Sequence, residues 1–211
     1  MASRIVHFAL ARLLAGDNPC LNRNRFFFGS VMPDAGPIYE THFLKNIDNE
    51  RKRIHDLSGF RNTYGEKLIS DDLYLGYYLH LLEDLIFRHY VFEVIGFDPV
   101  PKGNIDGLHH DYELLNRYVI SKYGLKDHPS VPPGIEREEL CLPCFDIPSF
   151  MEEFHADFTR SPEGSLRFFT EEMTDTYISM AYEICLKEMR AVFEGSGYLK
   201  ESDWAWNRHH R

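Results

Sequence analysis

Apolar positions recur at helical spacing through most of the chain, while the alternation of a half-buried strand is hard to find anywhere in it. The first helical segment, RIVHFALARLLA over residues 4–15, is stopped by Gly16. An irregular stretch follows, FFFGSVMPDAGPIYETHF, whose glycines and prolines predict a compact, turn-rich path. Residues 46–70, including NIDNERKRIHDL, predict two short helices. Ser70 or Asp71 can cap the next helix, a long one, because LYLGYYLHLLEDLIFRHYVFEVIG runs on without a proline until Pro99. It is apolar almost all round, which places it in the middle of a bundle.

The segment DGLHHDYELLNRYVISKYG predicts a further helix, with Asp106 as cap and Gly124 as stop. From Leu125 to Ile147 the chain is rich in proline and charge and reads as a long surface loop. Pro148 and Ser149 open SFMEEFHADF, and a last helix covers 164–194. No internal repeat or low-complexity tract interrupts this order. The expectation is one all-α domain over residues 1–211, a helical bundle.

The bulk properties agree with a soluble globular chain: 211 residues, 44% hydrophobic and 27% charged. A net charge of −10 repels phosphate backbones and anionic lipid head groups at long range, which argues against nucleic acid as a partner. An anionic substrate would have to be attracted locally, and bound metal cations could do that. The opening MASRIVHFALARLLAG contains His7 and Arg12 and reads as an amphipathic helix rather than an export signal. No stretch approaches the roughly 18 uncharged apolar residues of a membrane span. Cytoplasmic location is therefore the expectation. Of the four cysteines, Cys20, Cys141, Cys144 and Cys185, only Cys141 and Cys144 form C-x-x-C. The second pair that an all-cysteine zinc site needs is missing, and the four are read as ordinary thiols.

Eleven histidines are the first chemistry to explain. His80 and Asp84 stand four residues apart, so on a helix their side chains differ by only about 40° around the axis and both can face one ion. A carboxylate among Leu79, Leu81, Leu82 and Leu85 is costly unless paired or bound to metal. The alternative is a hydrogen-bonded His–Asp pair that tethers a neighbouring helix. His109 and Glu113 repeat the spacing in a more polar segment, where a solvated helix start competes with a ligand role. Asp34 after Pro33 and His42 after Thr41 lie among apolar residues of the irregular stretch, from which loop side chains can complete an N/O site. His7 shares a face with Leu10 and Leu14 and could equally be a satisfied core residue. The short basic run around Arg51 to Arg53 reads as a solvated helix face, and the terminal WAWNRHHR as a frayed tail without function.

The order of these residues carries a resemblance. His7, then GSVMPD ending at Asp34, then THF with His42, then YLGYYLHLLED with His80 and Asp84, resembles the zinc-dependent phospholipase C family, which is related to the S1/P1 nucleases. The resemblance covers roughly residues 1–115 and rests on G-S-x-x-P-D and G-Y-x-L-H-x-x-x-D in that order. It implies the helical fold of that family with one to three zinc ions. Asp34, His42, His80 and Asp84 would form one zinc site, Asp84 would bridge toward an ion near His7, and His89, His109 and Glu113 would form another. It also implies hydrolysis of a phosphoester, such as a phospholipid head group, by metal-activated water, with Asp34 orienting or deprotonating the water. Three features depart from the family. No Trp precedes residue 204, where secreted members use an N-terminal Trp as ligand. His89 points about 140° away from Asp84 in a continuous helix, and Asp34 and His42 stand unusually close in sequence. A single-strand nuclease of the same fold, and a non-catalytic helical binding protein with a degenerate site, remain as alternatives.

Overall fold

The computed structural model describes residues 2–18 and 21–208. Eight α-helices form most of it: α1 (Arg4–Asp17), α2 (Arg23–Gly29), α3 (Ile38–Thr41), α4 (Leu57–Ser70), α5 (Asp72–His89), α6 (Asn104–Lys122), α7 (Ile147–Thr159) and α8 (Glu171–Glu194). Three short strands, β1 (Leu44–Ile47), β2 (Lys52–His55) and β3 (Trp206–Asn207), make an antiparallel sheet in the order β1-β2-β3. The chain is thus mostly helical, roughly as expected of an all-α chain, with one small sheet in addition. No helix among the described residues is long and apolar enough to cross a membrane.

The centre of the molecule is α5, in which every residue from Leu73 to Phe87 is buried. Its start is fixed by Asp71, whose side chain accepts the Leu73 N–H at 3.0 Å and is clamped by the Arg25 guanidinium at 2.8 Å. Helix α2 crosses α5 at two glycines. A Cβ on Gly29 would stand 2.1 Å from the Leu73 carbonyl oxygen, and one on Gly76 would stand 2.3 Å from that of Phe26. Only hydrogen at both positions lets the two backbones touch, and this brings the end of α2 onto the His80 turn of α5.

Four boundaries differ from the sequence expectation, each for a local reason. The segment FFFGSVMPDAGPIYETHF is more ordered than its glycines and prolines suggest, because α2, a 3-10 turn over Met32–Ala35 and α3 occupy it. Residues 44–55 form a hairpin instead of a helix, turned by Asp48, Asn49 and Glu50 at φ of 52°, 50° and 67°. The tail is not frayed where it is described: Trp206 is buried and pairs with Arg53 of β2. His209, His210, Arg211 and Cys20, for which the sequence suggests no function, lie outside the described residues. Helix α8 begins at Glu171, later than 164, because the buried Asp111 carboxylate takes the N–H groups of Arg167, Phe168 and Phe169 at 2.7–2.9 Å and holds that stretch open. Cys141, Cys144 and Cys185 are free.

Candidate metal centre

Four buried histidines and two carboxylates meet beside the middle of α5. His80 is supplied by α5, His7 by α1, His42 by the end of α3 and His55 by the end of β2. Asp84 follows His80 by one helical turn, and Asp34 lies in the 3-10 turn after α2. The backbone turns sharply just after His42, where Phe43 takes φ 48°, which feeds the chain from α3 into β1.

Each imidazole is anchored through Nδ1. The His80 Nδ1–H donates to the Ser30 carbonyl at 2.9 Å, and that of His55 donates to the His42 carbonyl at 2.8 Å. Thr41 Oγ1 donates its own proton to the Pro37 carbonyl, so it accepts from His42 Nδ1 at 2.8 Å. His7 Nδ1 donates to Glu83 Oε2 at 2.6 Å. Because carbonyls, and the Thr41 oxygen here, only accept, these partners assign the proton of His42, His55 and His80 to Nδ1 and leave Nε2 with its lone pair, whereas His7, held between Glu83 and Asp84, keeps a proton on both nitrogens until a cation displaces the one on Nε2. Such outer partners commonly orient metal-binding histidines.

The free nitrogens converge. His42 Nε2 and His80 Nε2 stand 3.1 Å apart, and Asp84 Oδ2 lies 3.6 and 3.9 Å from them. Asp34 Oδ1 lies 3.4 and 3.9 Å from the same two nitrogens. The second Asp84 oxygen, Oδ1, accepts the Ala2 N–H at 2.9 Å and lies 3.4 Å from His7 Nε2. The His7 ring stacks on His80 with centroids 3.9 Å apart. Two donor sets result, His42–His80–Asp84 and His7–Asp34–His80, sharing His80.

A cation fits this arrangement on its own terms. Ligands about 2.0–2.1 Å from a tetrahedral centre are about 3.3 Å from one another, the spacing seen here. Two lone pairs 3.1 Å apart with no proton between them repel each other. His7 Nε2, Asp34 Oδ1, His55 Nε2 and Asp84 Oδ2 are buried with no hydrogen-bond partner. Orphaned buried donors and acceptors call for a ligand, an ion or water.

The electrostatics point the same way. Burial, with the charge of His7, pushes His80 down to about 3, so its ring is neutral and available as a donor at neutral pH. Burial also drives His55 well below its ordinary value. For Asp34, burial acts upward but His80 and His42 outweigh it, and the carboxyl stays ionised. Asp84 is held still lower, since His7 and His80 overcome its burial. His7 itself goes up to about 10: burial opposes the proton, but Asp84 and Glu83 hold it. Burial raises Glu83 to about 7.

Of the residues that the sequence nominates, His7, Asp34, His42, His80 and Asp84 are brought together. His89, His109 and Glu113 are not, and no group of donors within ligand reach contains them among the described residues. His89 lies beyond the turn that faces the centre, and its ring stands edge-on to Trp204 at 5.1 Å. His109 lines a cavity of about 420 Å³ that also contains Asp34, Arg4, Arg88 and Tyr112. Glu113 is exposed at the same cavity, 3.7 Å from His110 Nδ1. His109 and Glu113 therefore flank the cavity beside Asp34 instead of forming a second centre, and His89 lies outside it.

His55 and Glu83 escape the sequence reading. Glu83 was legible as an acidic neighbour of Asp84 inside an apolar helix, a residue that burial forces to find a partner. His55 carries no such signal, because the two short helices expected over 46–70 leave no hairpin to aim it at the centre.

No protein-family model, no curated protein and no solved structure matches this chain.

Proposed function

We propose that the chain is a metal-dependent phosphoester hydrolase, phospholipase C-like in chemistry, with zinc the cation that a mixed imidazole and carboxylate set suits best. The reading rests on one observation: His42 Nε2 from the end of α3 and His80 Nε2 and Asp84 Oδ2 from one turn of α5 lie within 3.9 Å of one another without protons to share. A divalent cation held by them would supply Lewis-acid charge to a phosphoryl oxygen and a water of lowered pKa as nucleophile. His80 is common to the two donor sets and has one free lone pair, so the sets offer one ion alternative positions, within the one to three ions of the same proposal.

The chain's own residues supply position and charge. Asp34 is the carboxylate at the boundary, with its side chain 8% exposed and lining the cavity of about 420 Å³. Held ionised, it orients the attacking water by accepting its hydrogen bond, a weaker base but a fixed one. Arg4 in the same wall is committed to Asp157 and Glu153, and Arg160 also lines it, 3.8 Å from Asp157. Ser30, Thr41 and Glu83 keep the imidazoles aimed. The substrate is a small phosphoester or a phospholipid head group of a size the cavity admits.

Zinc-free protein is expected to leave bis(p-nitrophenyl) phosphate intact and to hydrolyse it once zinc is restored. Zinc-loaded protein that turns over neither this diester nor a phosphatidylcholine analogue would overturn the hydrolase reading in favour of a binding role. Preference for single-stranded DNA over the phosphatidylcholine analogue would move the substrate to the nuclease branch.

A further inference from the structure

A second cavity, of about 550 Å³, opens between β2, β3 and the turn that follows α5. Three arginines line it: Arg53 from β2, Arg88 from the end of α5 and Arg208 just after β3. Among the described residues no acidic side chain lines it. In a chain with 33 acidic against 23 basic residues, such a wall reverses the character of the whole.

Among the described residues Arg53 and Arg88 form no ion pair, and Arg208 forms one, with the exposed Glu50. Arg53 donates to the neutral Asn46 Oδ1 at 3.0 Å and lies over the Tyr39 ring at 5.7 Å. Arg208 donates to the Glu50 carbonyl at 3.0 Å, and the Glu50 carboxylate is 3.7 Å away on a side chain 80% exposed. Arg88 lies over the Trp206 ring at 5.1 Å, and its buried Nε has no hydrogen-bond partner. Burial lowers Arg88 from its ordinary value, and the charge of Arg53 pushes the same way, yet a guanidinium stays cationic. Cations gathered at a concave wall, with unused donors and aromatic backing, are the usual means of holding a phosphate.

A phosphate group alone is far smaller than this space. Phe92, Pro99, Val100, Ile105 and Trp206 make up most of the remaining wall. Val100 and Tyr39 are exposed at 58% and 74%, so apolar surface continues outward from the cavity.

We propose that this cavity binds an organic phosphate, with the phosphate on Arg53, Arg88 and Arg208 and an apolar or aromatic substituent against Trp206, Val100 and Ile105. The site needs no cation in the histidine cluster, so it stands whether or not that cluster is catalytic. It also gives the basic run before His55 a role: the hairpin turns Arg53 onto the cavity, where a helix would have left it solvated.

The test is calorimetric titration of the full chain in EDTA with phenyl phosphate. Saturable binding is expected, tighter than that of inorganic phosphate or of phenol alone. Arg53→Gln and Arg208→Gln should each weaken it about tenfold, and together about a hundredfold, as for hydrogen bonds to a charged group. Arg137→Gln, at an arginine whose side chain is 87% exposed and which does not line the cavity, should leave it unchanged. Thermal melting shows whether each variant is folded. Absence of saturable binding by the folded wild type, or equal affinity in the double variant, would overturn the proposal. A second arm sediments the protein with phosphatidylcholine vesicles carrying phosphatidic acid. Sedimentation of wild type but not of the double variant identifies a lipid head group as the source, and binding of phenyl phosphate without sedimentation identifies a soluble ester.

Discussion

Helices α5 and α6 carry the same motif, a histidine and an acid four residues apart, and put it to opposite uses. On α5, His80 and Asp84 are fully buried, and Ser30 fixes the ring from outside. On α6, Glu113 is exposed and faces His110 rather than His109, while His109 packs against the Tyr112 ring with centroids 6.0 Å apart. The helices also start differently. Asp71 caps α5 with its side chain under the clamp of Arg25, whereas α6 begins at Asn104, behind Gly103 in the left-handed region at φ 87° and with no side-chain cap, so that Asp106, the cap expected from the sequence, lies inside its first turn. Spacing alone therefore does not make a ligand pair. What distinguishes α5 is the close crossing with α2 that buries the pair and delivers a carbonyl to its imidazole.

Breaking that crossing is the largest perturbation available. Gly76→Ala drives a Cβ into the Phe26 carbonyl and the Ser30 nitrogen, 2.3 and 2.8 Å away. A loss of about 3 kcal/mol is expected from chemical denaturation, with cation binding weakened in whatever folds, because Ser30 moves with α2. Removing the acid of each pair gives the sharpest contrast. Asp84→Asn should lower zinc affinity by more than the roughly 100-fold that outer-sphere changes cost, while Glu113→Gln leaves it unaltered. Equal effects in a competition titration would erase the distinction between the two helices. Glu83→Gln tests the support beneath the centre. It keeps every inner donor but weakens the anchor of His7, and a 10- to 100-fold loss of affinity is expected.

The smallest effect concerns how α5 is held at its start. Asp71 sits below the usual carboxylate range: burial acts upward, but Arg25 and the Leu73 N–H outweigh it. A depressed folded-state value means that its contribution is complete above the unfolded value, about 3.9, and disappears as pH falls through the folded one. Asp71→Asn should therefore cost about 1–2 kcal/mol at pH 7 in urea unfolding, and the gap from wild type should narrow below about pH 4.

How much of this could be read from the residues follows from the same physics. The long apolar run announced α5 as the central helix, and His80 and Asp84 on one face followed from the 3.6-residue period. Asp34 and His42 were legible only as polar residues among apolar ones in an irregular stretch, because a 3-10 turn and a four-residue helix have no periodicity to read. The hairpin was hidden because β1 and β2 are four residues each, too short to alternate visibly, and their burial patterns show little alternation. With it were lost His55, the pairing with Trp206 and the arginine cavity, all of which depend on tertiary pairing across about 150 residues of chain. His89 could be excluded by geometry alone, since no kink intervenes before the π-type turn that begins at Tyr90.

The most direct test of the centre is X-ray absorption at the zinc edge on untagged, zinc-loaded protein. A shell of nitrogen and oxygen at about 2.0–2.1 Å, with the multiple scattering of at least two imidazoles and no sulfur, is the predicted result. A sulfur shell near about 2.3 Å, which would put zinc on Cys141 and Cys144, or protein that retains no zinc at all, would contradict it.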